Sequence, residues 1–328
     1  MKKDPKVAFI LVCWNNEELL AECLNSIAQQ DYQEHVTIVV DNGSKDGSVK
    51  LLQTKYPWVE LHEAKRNLGF AKGNNRGISA IREKYPGLDY LVFLNTDARL
   101  SKSWLSVLIK FVSDKTKAAI LQSTMLDYYD NRIIDSTHIY ISQNGAGTQA
   151  GWGKPYRGET GPRKVFGVNA AAAMITCSFI DAQPFKTVFD ETLFMYLEDI
   201  DLSARATIMG WDNYHVPGTA AYHMGSASSG KQPGYSFYMT YRNNIAVLMK
   251  NIPISMLIKM IPSIILSDYH TIRHLRTTNR GTLIKHLIKG RVVGVLRLPL
   301  FIPTIMKMSV YRKNVCKEAL WELMKTGD

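Results

Sequence analysis

Cysteine is scarce in these 328 residues, and Cys13, Cys23, Cys177 and Cys316 form neither a CxxC pair nor a metal-ligand spacing. A thiolate metal centre and a disulfide scaffold fall away, and the four read as reduced thiols of a cytosolic protein. Long apolar runs are also missing. IPISMLIKMIPSIIL at 252–266 is shorter than the roughly 20 residues of a membrane-spanning helix, and Pro253, Lys259 and Pro262 interrupt it. The N-terminal MKKDPKVAFILVCWNN has a basic start and an apolar run, yet Asn15, Asn16, Glu17 and Glu18 stand where a signal peptide carries small residues, so the run reads as a first strand. The glycine-rich RNLGFAKGNNRG at 66–77 lacks GxGxxG spacing, which takes the main support from a nicotinamide-dependent dehydrogenase. Acids are scarce at one end only. Residues 1–250 hold 27 Lys and Arg against 25 Asp and Glu, residues 251–328 hold 13 against 4, and so +9 of the net +11 lies in the last 78. No aromatic-rich RNA motif or DNA-reading helix accompanies that charge, so nucleic acid is not the expected partner.

What is present is a chain able to bury a large core, 46% hydrophobic. Over the first 125 residues, apolar runs at 7–12, 36–40, 59–61, 91–94 and 118–121 alternate with helical patterns at 18–29, 48–56, 73–85 and 103–112. That alternation predicts an α/β fold with a mostly parallel sheet, whose ligands bind beyond the carboxyl ends of the strands. Polar residues gather at those ends: Trp14 and Asn15, then Asp41, Asn42, Gly43 and Ser44, then Asn95, Thr96 and Asp97.

Each polar group also has a plainer reading. DNGS at 41–44 suits a turn with Ser44 or Asp46 capping the next helix. It also places the Asp41 carboxylate where a pyrimidine edge or ribose hydroxyls can donate to it. Gly69 and Gly73 permit close backbone approach at a helix start that favours phosphate, or an ordinary loop. Asn95 and Asp97, two apart at a strand end, suit a hard Mg²⁺ or Mn²⁺ ion carrying a diphosphate. Glu198, Asp199 and Asp201 in MYLEDIDLSARATIMGW complement a helix dipole, but three acids are more than capping requires. His223 alone is an ordinary structural histidine or a metal ligand.

Taken in order, FILVCWNN, VVDNGSKDGS, RNLGFAKGNN, FLNTDA, FDETLFMYLEDIDLSARATIMGW and YHMGSAS resemble the inverting glycosyltransferases of family 2, and among them the bacterial rhamnosyltransferases of cell-surface polysaccharide synthesis. The resemblance spans about residues 6–250. It implies a GT-A fold with a nucleotide-binding half at about 1–125 and an acceptor-binding half at about 126–250. It places Asp41 at the nucleotide base, with Trp14, Asn15, Asn42, Gly43, Asn67, Gly69, Lys72, Asn95 and Thr96 around the nucleotide sugar. Asp97 and His223 would bind Mn²⁺ or Mg²⁺, Asp199 would be the general base, and Glu198 and Asp201 would support it or the acceptor. Arg242, in YRNN, would steady the diphosphate or the acceptor. One departure stands out: the first position of the family's DxD motif is Asn95, which reduces the charge opposing the metal. The implied reaction moves a sugar, L-rhamnose from dTDP-rhamnose, onto a saccharide or lipid-linked saccharide. A UDP-sugar transferase, a metal-dependent nucleotide-sugar phosphohydrolase and a non-catalytic nucleotide-sugar binder are the alternatives.

Residues 251–328 mix Leu, Ile and Val with Arg and Lys at helical spacing. They are expected either to lie on an anionic membrane surface, placing the protein on the cytoplasmic face of the membrane, or to pack on the catalytic domain with a basic outer side.

Overall fold

The strand β1 (Val7–Cys13) sends alternate side chains into two different cores, and the layers follow from that alternation. The computed structural model describes residues 4–158, 161–225 and 233–325. Val7, Phe9, Leu11 and Cys13 pack against Leu20, Cys23, Leu24 and Ile27 of α1 (Glu17–Ala28), with Trp104, Leu105 and Leu108 of α4 (Trp104–Val112). Ala8 and Ile10 face the other way, toward Ala71, Ile78 and Ile81 of α3 (Gly69–Lys84) and toward Phe179, Phe189 and Leu202. Each fully buried side chain of this kind stabilises by about 1.5–3 kcal/mol, which explains why the run is apolar throughout.

The remaining elements of the first half are β2 (His35–Asp41), α2 (Ser48–Lys55), β3 (Glu60–Glu63), β4 (Tyr90–Leu94), β5 (Ala98–Leu100) and β6 (Ala118–Asp127). All the helices and strands expected there are present, and α3 begins four residues before its expected start. Asn67 Oδ1 accepts from the Gly69 amide at 2.8 Å and opens the helix there. A Cβ at Gly73 would lie 2.9 Å from Val12 Cγ1, so the glycine lets α3 settle directly on β1.

The second half adds β7 (Ile134–Ser136), β8 (His138–Ile141), β9 (Gly147–Ala150), β10 (Arg163–Val165), β11 (Ala172–Thr176), α5 (Cys177–Ala182), α6 (Glu198–Ile208) and β12 (Asp212–His223). The large sheet runs β10-β12-β6-β11-β4-β1-β2-β3, with β5 beside β12 and β7 beside β6. It is parallel from β3 to β4, as expected. Beyond β4 it is mixed, because β11 inserts antiparallel to both β4 and β6. Residues after 125 lack the strand–helix alternation from which strand direction is read, so this reversal has no local signature.

The chain closes with α7 (Pro233–Asn251), α8 (Ile254–Thr277), α9 (Ile284–Leu296), α10 (Leu298–Arg312) and α11 (Lys317–Leu323). Leu248, Met256, Phe301, Met308 and Leu320 share one core with Ile139, Phe166, Leu193, Ile200 and Ala204, so α7, α8, α10 and α11 are packed onto the second half of the chain's α/β part. Among the described residues no single helix is long and apolar enough to cross a membrane. The helical segments Gly281–Leu296 and Leu298–Arg312 reach that length and composition only together, and they are bent by 62°.

Candidate active site

The ends of β1, β2 and β4 open onto a cleft of about 740 Å³. Trp14, Asn42, Asn67, Gly69, Asn95, Thr96 and Asp97 line one part of it, and Asp135, Asn169, Glu198, Asp199 and His223 line another. The loops on the first side are cross-linked. Asn15, at φ 51°, donates its amide to Ser44 Oγ at 3.0 Å and accepts from the Lys45 amide at 2.7 Å. Glu17 and Asp46 exchange bonds with each other's loops, Asp46 accepting from Glu17 N and Glu17 from Gly47 N. Asn16 Nδ2 reaches across to Thr96 Oγ1 at 2.7 Å.

Sheet register brings His223 to Asp97 and Asn95. His223 pairs with Ala98 of β5 and with Asp127 of β6, which sets His223 Nε2 3.5 Å from Asp97 Oδ1 and 3.5 Å from Asn95 Nδ2. On its other side His223 Nδ1 meets Asp135 Oδ2 at 2.9 Å. Burial works against a charged imidazole here, but the hydrogen bonds and charges of Asp135 and Asp97 raise its pKa to about 9. The two carboxylates thus favour positive charge here, and His223 can act as a metal ligand only when it gives up its Nε2 proton. Among the described residues no three His, Cys, Asp or Glu side chains are arranged to hold a metal ion. The donor set of one carboxylate and one imidazole, the latter oriented by Asp135, nevertheless fits Mg²⁺ or Mn²⁺, which take one or two protein carboxylates and complete their shells with substrate phosphate oxygens and water.

The acids at the start of α6 face the same cleft. Glu198 is buried and its Oε2 has no hydrogen-bond partner, while Asp199 Oδ1 accepts from the Ile200 amide at 2.8 Å. Burial pushes both carboxyls up; for Glu198 the charge of Asp199 adds to it, and for Asp199 the Ile200 and Ala170 amides oppose it. The segment before them is strained: Phe194, Tyr196 and Leu197 all have φ near +70°, a region bulky residues enter only when the surroundings hold them there. Two contacts do so. Phe194 O accepts from the Ala71 amide at 3.2 Å, and Asn243 Nδ2 lies 2.8–3.0 Å from the carbonyls of Leu193, Met195 and Tyr196.

Several expected residues stand elsewhere. Asp41 is 2% exposed, and its carboxylate accepts from the Gly43 and Ser44 amides at 3.0 and 3.1 Å, so it shapes the loop that presents Asn42 and does not wall the cleft. Asn15 and Gly43 belong to that loop framework. The close approach that Gly69 permits is to the Phe194 carbonyl, 2.5 Å from where a Cβ would sit. Lys72 pairs with Glu191 at 3.6 Å beside a separate pocket. Arg242 donates to the Leu193 carbonyl at 2.7 Å. Asp201 is fully buried between Lys250, Arg205 and Asn251, at 2.9, 3.2 and 2.8 Å, and holds α6 to α7. Of YHMGSAS, residues 226–228 lie outside the described residues.

Two residues escape sequence reasoning. Asp135 lies 88 residues from His223 and outside the six ordered motifs. Asn243 sits in the noted YRNN beside Arg242, where charge draws attention to the arginine, yet the amide makes the more numerous contacts with the strained segment.

A sequence profile of Glycosyl transferase family 2 matches residues 8–189. The N-acetylglucosaminyl-diphospho-decaprenol L-rhamnosyltransferase of Mycobacterium tuberculosis (strain CDC 1551 / Oshkosh) is 27% identical over 216 residues, which cover 60% of this chain and 68% of that one. Rhamnosyltransferase WbbL of Escherichia coli (strain K12) is 27% identical over 235 residues, 66% of this chain and 83% of that one. Among solved structures, GalNAc-T7 with UDP, GalNAc and Mn²⁺ matches with a TM-score of 0.58 at 14% identity, over 76% of this chain and 48% of that one, a likeness of fold.

Proposed function

The chain belongs to glycosyl transferase family 2 and is a glycosyltransferase of GT-A fold, and from that premise we propose that it transfers L-rhamnose from dTDP-rhamnose, with inversion, to a lipid-linked saccharide in bacterial cell-surface polysaccharide synthesis. The observation that carries the mechanism is that one cleft is walled by Asp97 and His223 and also by Asp199. Two rhamnosyltransferase relatives favour the donor sugar, and the first of them is named for a diphospho-decaprenol substrate. The catalytic surface then works at the cytoplasmic face of an anionic membrane, which the positive charge of the C-terminal helices favours.

In this reading Trp14, 42% exposed at the cleft, offers its ring to the nucleotide base, and Asn42 and Asn67 line the donor pocket. Asp97 and His223 would hold a divalent ion, which would supply positive charge to offset that of the leaving diphosphate. Asp199 accepts the proton of the acceptor hydroxyl, whose oxygen attacks the anomeric carbon from the face opposite the diphosphate. Glu198, buried beside it, supports Asp199 or the acceptor. A single displacement inverts the anomeric centre and leaves no sugar on the enzyme.

A thermal-shift panel with Mn²⁺ tests the donor, because a ligand bound to the folded state raises its melting temperature by mass action. Stabilisation by dTDP and UDP but not GDP is expected, followed by transfer from dTDP-rhamnose. Stabilisation by GDP alone, or release of the sugar to water with an acceptor present, overturns the proposal.

A further inference from the structure

Ile254, Ile258, Ile261, Ile265 and Tyr269 recur along α8 at three- and four-residue spacing and share one side of the helix. All five are exposed, from 46% at Ile261 to 65% at Ile265. The opposite side is already used, since Met256, Leu257 and Met260 are buried in the core shared with the second half of the α/β part. A surface helix of a water-soluble protein puts its polar residues outward, and α8 puts a stripe about 22 Å long of isoleucines and a tyrosine there.

Charge decides what covers the stripe. Its outer side continues into exposed Arg273 and Arg276, and exposed Lys259 flanks it. The helix has one acid, Asp268, which Arg291 of α9 engages at 2.9 Å, so the rim is cationic. A second copy would bring another chain of net charge +11, whereas an anionic lipid surface complements both the charge and the apolar stripe.

The inner side of α8 leads to the cleft. Asn144 Nδ2 donates to Ser267 Oγ at 3.2 Å, and a Cβ at Gly145 would lie 2.9 Å from Ile264. The same hairpin continues into Gly147, Thr148 and Gln149 of β9, on the cleft wall. One short element therefore joins the outward-facing helix to the catalytic cleft.

We propose that α8 lies in an anionic lipid surface along this isoleucine stripe, and that the β8–β9 hairpin thereby holds the cleft beside the bilayer in which the acceptor's lipid carrier resides. This rests on the lipid-linked acceptor proposed above. The full chain should co-sediment with vesicles of equal parts phosphatidylcholine and phosphatidylglycerol, and less with phosphatidylcholine alone. Ile258→Asp and Ile265→Asp should each weaken sedimentation at least about tenfold, since each removes an apolar side chain from lipid. Ile258→Ser and Ile265→Ser serve if an aspartate variant melts early. Arg273→Gln with Arg276→Gln should erase the preference for the anionic vesicle. Sedimentation reads lipid binding without any sugar transfer, so a wrong donor or acceptor leaves this test standing. Conversely, Ile258→Asp should retain transfer to a water-soluble acceptor analogue while losing transfer to one embedded in vesicles. Wild-type protein that stays in the supernatant, variants that sediment like wild type, or a dimer in sedimentation equilibrium that Ile258→Asp dissolves would each overturn the proposal.

Discussion

The Asn243 side-chain amide donates to the Tyr196 carbonyl at 2.8 Å, across 47 residues of chain and from a position only 1% exposed. Tyr196 sits at φ 70°, two residues before Glu198 and three before Asp199. The amide of a residue on α7 therefore helps hold the backbone turn that sets where the acids of α6 point.

Asn243→Ala should release that turn. Transfer is expected to fall by roughly 10–100-fold through kcat, because displacing a reacting group by about 1 Å costs that much. The Kd for the nucleotide should change little, since Asn243 does not line the cleft. Asn243→Asp should be no better, for a carboxylate facing carbonyl oxygens donates nothing. A shifted pH–rate profile separates loss of position from a general loss of folded protein.

Asp199→Asn keeps shape but removes the proton acceptor, and transfer should drop by roughly 10²–10⁴ with donor binding retained. Near wild-type turnover at saturating acceptor would move the base to another residue, Glu198 first.

Burial raises the pKa of Glu198 and Asp199 above the ordinary carboxylate range. The folded state therefore holds their protons more tightly than the unfolded chain does. Their contribution to stability is greatest at and below the ordinary carboxylate pKa and is lost as pH rises toward the raised folded-state values. Activity should climb over the same interval, as Asp199 ionises. Glu198→Gln should flatten the fall in melting temperature between weakly acidic and neutral pH, raising it at pH 7 by about one to two degrees, on the order of a kilocalorie of stability. Thermal melts across that range measure it.

Asp97→Ala removes a ligand and not a base, so Mn²⁺-dependent stabilisation by dTDP or UDP should disappear in a thermal shift. Asp135→Asn leaves a hydrogen-bond partner for His223 Nδ1 but removes the charge behind it, and metal affinity should fall by roughly 10–100-fold. Unchanged titration with Mn²⁺ in both variants would remove the metal from this site.

Lys250 is 1% exposed and ion-paired with both Asp190 and Asp201. Lys250→Met leaves those carboxylates buried without it and should destabilise the fold by about 3–5 kcal/mol, read as a lowered melting temperature. Asp201, which local sequence associates with Glu198 and Asp199, belongs to this support and not to the cleft wall.

The sequence alone determined the local part of this protein. Apolar alternation located the strands and helices of the first 125 residues, because a strand buried on both faces must be apolar at every position. It also marked the strand ends as the place where Trp14, Asn42, Asn95 and Asp97 meet, since parallel strands bring their carboxyl ends to one edge. The tertiary structure decided what depends on distant pairing. The register of β12 against β5 and β6 brings His223 to Asp97 and Asp135, and β11 inserts antiparallel between β4 and β6. Only packing turned Asp41 under its own loop, drew Asp201 into the core and held three bulky residues at positive φ ahead of α6. Those outcomes follow from contacts between residues far apart in the chain, to which neither local periodicity nor residue type is sensitive.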